Sequence, residues 1–244
     1  MKTFAKPSAT KRTRPGPRPE RSLQQPEPLS WSVNIPAGEA KLAGDLVIPA
    51  GGGGLVLFAH GSGSSRHSSR NKFVAHTIQQ TGLATLLFDL LTPEEEAADA
   101  RDGHLRFDID FLAQRLVQAS QWILRQPVTR QMGMGYFGSS TGGAAALVAA
   151  AELGPVVEAI VSRGGRPDLA GHALGGVSSP TLLIVGGRDE EVLRLNQAAY
   201  AQMSCEKQLE IVPGATHLFE EPGALGQVAT LAAAWFERHL NEQV

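Results

Sequence analysis

Residues Gly133 to Ala144 read GMGYFGSSTGGA. A short apolar run, Met132 to Phe137, meets glycines and two adjacent serines, and a run of small apolar residues, Thr141 to Leu153, follows at once. The first run has the continuity of a strand buried on both faces; the second suits a buried helix packed close to a sheet. A chain that turns this sharply from strand to helix brings the residues two before and two after the apex into contact. Only glycine or a very small residue avoids a clash there. Gly138, Ser140 and Gly142 meet the frame G-x-S-x-G, which puts Ser140 at the apex. With Ser139 at the apex the flanking positions would be Phe137 and Thr141, which do not fit. Ser139 then sits beside the apex with no assigned role.

A serine hydroxyl is a weak nucleophile and needs a base, which in turn needs an acid to orient it. His217 lies in the stretch GATHLF, directly after the run Leu209 to Val212, the last expected strand. Asp189 lies in VGGRDEE, after the preceding expected strand Thr181 to Val185. Both positions fall at the carboxyl edge of a parallel sheet, where the Ser140 turn also falls. The chain order serine, acid, histidine is the one this strand-to-helix frame requires. Glu190 and Glu191 are reserve candidates for the acid, although they read as the first turn of a helix, where acids are common.

The helix that starts after Ser140 aims its N-terminal amides at the same place, so the Thr141 amide is one expected oxyanion donor. The second is expected in the loop Phe58-Ala59-His60-Gly61-Ser62-Gly63, from the Ser62 amide, with Gly61 as the close alternative. His60 reads as a structural residue holding that loop. His67, His76, His104, His172 and His239 have no matching context and read as surface or packing residues. Arg66 and Arg163 stand where they could attract an anionic substrate group, or equally pair with nearby carboxylates. With His60 and Gly61 they complete the candidate pocket. No metal and no organic cofactor is expected.

Working outward from the turn, Trp31, Val33 and Ile35 alternate with polar residues, and Ala40 to Ile48 forms a second strand-like stretch ended by Pro49 and the glycines Gly51 to Gly54. Continuous apolar runs follow at Leu55–Phe58, Leu83–Leu91, Ala159–Val161 and the strands already named. Between them lie helix-like stretches at Asn71–Gln80, Phe107–Arg125, Glu190–Met203 and Ala224–Leu240. Phe111, Leu112, Leu116, Ala119 and Ile123 fall on one helical face. The alternation predicts an α/β fold: a mostly parallel sheet of about eight strands, helices on both faces, and an antiparallel edge made by the two leading strands. Between Ser162 and Thr181 there is room for a short helix and no cap domain, so an open, shallow site is expected. Two segments wall it: Ser64 to Asn71, and Thr92 to Arg106, polar and acidic around Glu94, Glu95 and Glu96.

The chain has 244 residues, 42% hydrophobic, with a net charge of -2, which suits one large domain and gives no bulk reason to expect nucleic acid or a membrane as partner. Its single cysteine, Cys205, excludes an intrachain disulfide framework and fits a reducing compartment. No run spans a bilayer and no secretory signal is visible, so the expected location is cytoplasmic. Residues 1–28 interleave basic residues with prolines and have little to bury; they read as a disordered tail ahead of a catalytic domain over residues 29–244.

The stretches FAHGSGSSRHS, FGSSTGGAAAL, SRGGRPDLAG, LLIVGGRDEEV and PGATHLFEEPGAL together resemble the α/β-hydrolase fold, and specifically its dienelactone-hydrolase-like branch. The resemblance covers about Trp31 to Leu240 and leaves out the tail. It implies a triad of Ser140, Asp189 and His217 in an esterase-like hydrolase acting on a small-molecule ester. The sequence is similar, too, to domains found fused to phosphoribosyltransferases, and shows no such domain itself. It departs from dienelactone hydrolases proper at the apex, where they carry cysteine and this chain carries serine. A serine ester hydrolase with an acyl-enzyme intermediate is therefore the expectation; an acyltransferase using the same triad and a non-catalytic binding module on the same fold are the rivals.

Overall fold

The computed structural model describes residues 27–240. All but the last two residues of the expected tail, and the end of the expected catalytic domain at 241–244, lie outside them. The core is an eight-stranded sheet in the order β1-β2-β4-β3-β5-β6-β7-β8. Its strands are β1 (Leu29–Ala37), β2 (Ala40–Ile48), β3 (Gly54–Ala59), β4 (Ala84–Phe88), β5 (Gly133–Ser139), β6 (Ala159–Arg163), β7 (Thr181–Gly186) and β8 (Lys207–Val212). β1 pairs antiparallel with β2, and β2 antiparallel with β4; every other pairing is parallel. That is the mostly parallel sheet with an antiparallel leading edge that the strand pattern predicts.

Burial follows the two kinds of strand sequence. Leu42, Gly44, Leu46 and Ile48 of β2 are buried while their neighbours are not, the signature of a strand with one wet face. Every residue of β3, β4, β6 and β7 is buried, because helices cover both faces there. One face carries α1 (Ser69–Gln80) and α6 (Ala224–Leu240), whose Val74, Ile78, Val228 and Phe236 pack on Val56, Phe58, Phe137 and Val161. The opposite face carries α3 (Ile109–Ile123), α4 (Thr141–Leu153) and α5 (Glu190–Gln202). Among the described residues, no helix is long and apolar enough to cross a membrane.

One helix departs from expectation. The segment after β4, expected as a polar, acidic wall and not among the helix-like stretches named, contains α2 (Pro93–Asp102). Thr92 caps it in a reciprocal box with Glu95, and Pro93 opens it. The cue T-P-E-E is present in the sequence; the absence of an apolar stripe hides the helix from a periodicity argument. Between β6 and β7 there is only a short 3₁₀ segment, Pro167–Gly176, so no cap domain lies over the sheet at this point.

The β5–α4 turn shows why its composition is fixed. A Cβ built on Gly138 would stand 2.5 Å from the Gly142 carbonyl oxygen and 2.6 Å from the Gly143 Cα. One built on Gly142 would collide with the carbonyl oxygens of Ala59 and His60. All of these contacts are backbone, which cannot give way as a flexible side chain can. Gly138→Ala and Gly142→Ala should therefore each cost about 1–3 kcal/mol or more through overpacking, read as a lower urea midpoint at unchanged slope. Gly226, inside α6 with nothing within 4 Å of its virtual Cβ, is the opposite case. Gly226→Ala should raise stability by roughly 0.5–1 kcal/mol.

Candidate active site

Ser140 has φ 50° and ψ −121°, a left-handed-region conformation that L residues rarely adopt. Among the described residues only one other non-glycine residue, Phe219, has positive φ, and it lies two positions after His217. Strain of this kind persists where the surroundings over-determine it. The Ser140 amide donates to the Arg163 carbonyl at 3.3 Å, while the Ser140 carbonyl accepts from the Gly143 and Arg166 amides at 3.0 and 3.1 Å. The apex is thus pinned from α4 and from the loop after β6.

The two serines are separated by what their side chains touch. Ser139 belongs to β5, is buried, and donates its hydroxyl to Asn71 Oδ1 of α1 at 3.3 Å. It ties the elbow to the helix on the opposite side of the loop. Among the described residues Ser140 has no side-chain hydrogen-bond partner, and it lines a cavity of about 500 Å³. His217 and Leu218 line the same cavity.

Asp189 and His217 meet across the ends of β7 and β8. Asp189 Oδ2 lies 2.6 Å from His217 Nδ1, with the acid 15% and the histidine 38% exposed. A ring nitrogen this close to a carboxylate carries the proton and donates it, leaving Nε2 to face the cavity as an acceptor. The two loops are bonded to each other: the Arg188 amide donates to the Ala215 carbonyl at 2.9 Å, and Glu221 Oε1 accepts from the Thr216 amide and hydroxyl at 3.1 and 2.7 Å. The Thr216 hydroxyl holds the Glu221 carboxyl below its ordinary range. Glu221 is a positioning residue that no sequence motif marks. Of the reserve acids, Glu191 is exposed and paired with Arg194 at 2.6 Å, in the first turn of α5. Ser140 and His217 face one cavity without a hydrogen bond joining them.

The expected oxyanion donors fare differently. The Thr141 amide opens α4 with no intrahelical acceptor, as its place at a helix N-terminus requires. The Ser62 amide is not free: it donates to Thr141 Oγ1 at 3.0 Å. The reason is the close approach of the two loops. A Cβ on Gly61 would lie 3.0 Å from both the Ser139 carbonyl oxygen and the Ser140 Cβ, so the segment after β3 lies directly against the elbow and the Thr141 hydroxyl reaches it.

The four candidate pocket residues also separate. Arg163, at the end of β6, is 7% exposed and lines the Ser140 cavity. Gly61 lines it too, and borders a second, smaller cavity of about 350 Å³ on the other side of the 61–65 loop. His60 belongs to that second cavity, with Leu90, Leu91 and Leu112. Arg66 lines neither: its guanidinium is held by Asp89 and lies 3.6 Å from Asp45, so the expectation of a substrate-facing Arg66 is replaced by an internal ion pair. Of the two expected wall segments, the first lines the Ser140 cavity through Ser64, Ser65 and His67 to Arg70; the second does not reach it, and its Glu96, Asp99 and Arg106 line the smaller cavity instead.

His60 holds its loop as a neutral ring. Nε2 accepts the Leu90 amide at 3.0 Å, so Nδ1 carries the proton and donates to the Gly61 carbonyl at 3.0 Å. Burial drives its pKa down, opposed by the Gly61 carbonyl and by the charges of Asp89 and Glu96. With the folded-state value below the unfolded one, the native chain binds fewer protons than the unfolded chain at acid pH. Stability is therefore complete above the unfolded value of about 6.5, falls as pH drops from there toward the folded value, and levels off below it. In urea titrations the native protein should lose up to about 1.4 kcal/mol per pH unit between those two values relative to His60→Gln. Parallel pH profiles for the two proteins would contradict this account of His60.

Known proteins bear this arrangement out at the level of fold. No family model matches the chain. A dienelactone hydrolase from Anabaena variabilis is 59% identical, with a TM-score of 0.86 over 87% of this chain and 99% of that one. Est1E from Butyrivibrio proteoclasticus, at 16% identity and a TM-score of 0.72 over 85% of this chain and 98% of its own, shares the fold. A Mycobacterium tuberculosis protein provisionally named a phosphoribosyl transferase is 58% identical over 208 residues, which are 85% of this chain and 46% of that protein. The chain thus spans about half the length of the curated relatives it matches.

Proposed function

We propose a function from one premise, that the chain belongs to the dienelactone-hydrolase-like family of the α/β-hydrolase superfamily. Within that family we infer a serine hydrolase of small carboxylic esters. The observation that carries the reading is the strained Ser140 facing one cavity with a His217 already bonded to Asp189 at 2.6 Å. His217 Nε2 takes the proton as the Ser140 Oγ attacks the ester carbonyl. The Thr141 amide receives the developing oxyanion. Ser62 contributes the second donor only when its N–H leaves Thr141 Oγ1 or is shared with it, so substrate entry includes a small exchange of hydrogen bonds there. His217 then protonates the leaving alcohol, and water releases the acyl group by the same roles reversed. The open site, without a cap domain, suits a short acyl chain.

The name of the mycobacterial relative raises a second reading, transfer of a phosphoribosyl group. The matched 208 residues cover 46% of that protein, and they have the hydrolase fold here. We assign the transferase name to its remaining half on this ground, since function follows the site and not the length of a chain. An acyltransferase differs only in the acceptor, and product analysis with added alcohols or thiols separates the two.

A fluorophosphonate should add once to the native protein, measured as intact mass, and not to Ser140→Ala. No adduct on folded protein would remove the triad and favour a binding module. An adduct surviving in Ser140→Ala would move the nucleophile to another hydroxyl. Asp189→Asn should keep the fold and lower kcat by roughly 10⁴, as loss of the correct histidine tautomer does in triads of this type.

A further inference from the structure

Thr141 brings two polar groups to the elbow, and the reading above uses only its amide. The residue opens α4 directly after Ser140 and is 3% exposed. Its hydroxyl oxygen accepts the Ser62 amide at 3.0 Å. A hydroxyl also carries a proton to donate, and among the described residues that proton has no acceptor. Inside a helix a threonine can return its proton to the carbonyl one turn back. Thr141 is the first residue of α4 and has no turn behind it. A donor buried this deeply without an acceptor costs stability, and valine would fill the same space without that cost. A ligand oxygen would supply the acceptor the protein lacks.

The hydroxyl stands at the boundary of the two cavities. Thr141 lines the smaller one with Gly61 and Ser62, and Gly61 and Ser62 line the Ser140 cavity as well. Both sides of the Ser62–Thr141 bond are held in place. The Gly61 carbonyl accepts from His60 Nδ1 at 3.0 Å and from the Ser64 amide at 3.1 Å. In a planar trans peptide the Gly61 carbonyl and the Ser62 N–H point opposite ways and turn as one unit. Swinging the N–H off Thr141 would therefore break both carbonyl bonds. On the other side, α4 is fixed by the packing of Gly142 on the Ala59 and His60 carbonyl oxygens. Of the two ways the Ser62 N–H could serve an oxyanion, departure or sharing, the loop permits sharing. A hydroxyl that accepts an N–H is polarised by it and becomes a stronger donor in turn.

We propose that the Thr141 hydroxyl is itself a catalytic donor: as Ser140 attacks, it donates to the developing ester oxyanion beside the Thr141 amide, polarised from behind by the Ser62 amide. The exchange of hydrogen bonds on substrate entry is then a turn of one hydroxyl proton, with both loops in place. Ser62 acts as a positioning residue through Thr141. The proposal deepens the serine-hydrolase reading and rests on it.

The test compares the native enzyme with Thr141→Val, Thr141→Ala and Thr141→Ser on p-nitrophenyl acetate. Valine and alanine remove the hydroxyl, and serine keeps it. Rates are taken per fluorophosphonate-titrated site, so a variant that folds only in part is still measured per working site. An interaction made only in the transition state lowers kcat and kcat/KM together. Both should fall by roughly tenfold or more in the valine and alanine variants, with KM little changed, and the serine variant should stay near the native values. Trifluoroacetone gives the second reading. Ser140 Oγ bonds to its carbonyl carbon, the serine proton passes to His217, and the carbonyl oxygen is left as an alkoxide. Its inhibition constant should rise in the valine and alanine variants by about the factor lost from kcat. A merely structural role for Thr141 would not link the two.

Unchanged or faster turnover without the hydroxyl overturns the proposal and makes Thr141 a block on Ser62. So does an equal loss in the serine variant, or a loss of kcat with no matching rise in the inhibition constant. A native protein that takes no fluorophosphonate and cleaves no ester removes the hydrolase reading, and the proposal with it. An active native enzyme indifferent to the hydroxyl removes the proposal alone.

Discussion

The close crossing of three backbones at Gly138, Gly142 and Ala59 is the constraint on which the site depends. β3 and β5 are hydrogen-bonded neighbours, and α4 leaves β5 so steeply that its second residue meets the end of β3. Nothing larger than a hydrogen fits at Gly142, and this lets the helix N-terminus lie directly over the sheet edge. Ser140 is carried into its left-handed conformation by that geometry and held there by amide and carbonyl bonds to the loop after β6. The strain is local, but the elements that sustain it, β3, β5, β6 and α4, are among the most deeply buried of the fold. A rigid core can keep a strained apex where a surface loop would relax.

The same economy of space brings His217 to the cavity that Ser140 lines. The loops after β7 and β8 are pressed together until a side chain on Gly186 would strike the Ala215 and Thr216 carbonyls. The Arg188 to Ala215 hydrogen bond and the Glu221 clasp on Thr216 then leave His217 little freedom except about its own side-chain torsions. Asp189 restrains those through Nδ1. Histidine orientation is thus inherited from sheet geometry through three links, from Arg188 and Asp189 just after β7 and from Glu221 in the loop after β8.

What the sequence makes legible follows from how local each feature is. Buried parallel strands announce themselves as unbroken apolar runs, and the elbow as a spacing of glycines around a serine, so the sheet and the positions of Ser140, Asp189 and His217 at one edge are readable directly. α2 is not, because a helix of Pro93–Asp102 composition has no apolar face and is specified by its cap alone. The fate of Arg66 is not, because its partners, Asp45 within β2 and Asp89 just after β4, lie 21 and 23 residues away along the chain. The Ser62 to Thr141 bond spans 79 residues and exists only because two loops approach to contact distance. Composition gives an arginine near the site; only the fold distinguishes Arg66, neutralised within the protein, from Arg163, left without a carboxylate.

Serine at the apex, where dienelactone hydrolases proper carry cysteine, changes what the rest of the site must supply. A thiol can be ionised before substrate arrives, stabilised by a helix N-terminus or a nearby cation. A hydroxyl cannot, so its proton must pass to a base during the attack itself. On the proposed hydrolase reading, that shifts the demand from electrostatic stabilisation of a resting anion to the placement of His217 and the support of its positive charge by Asp189.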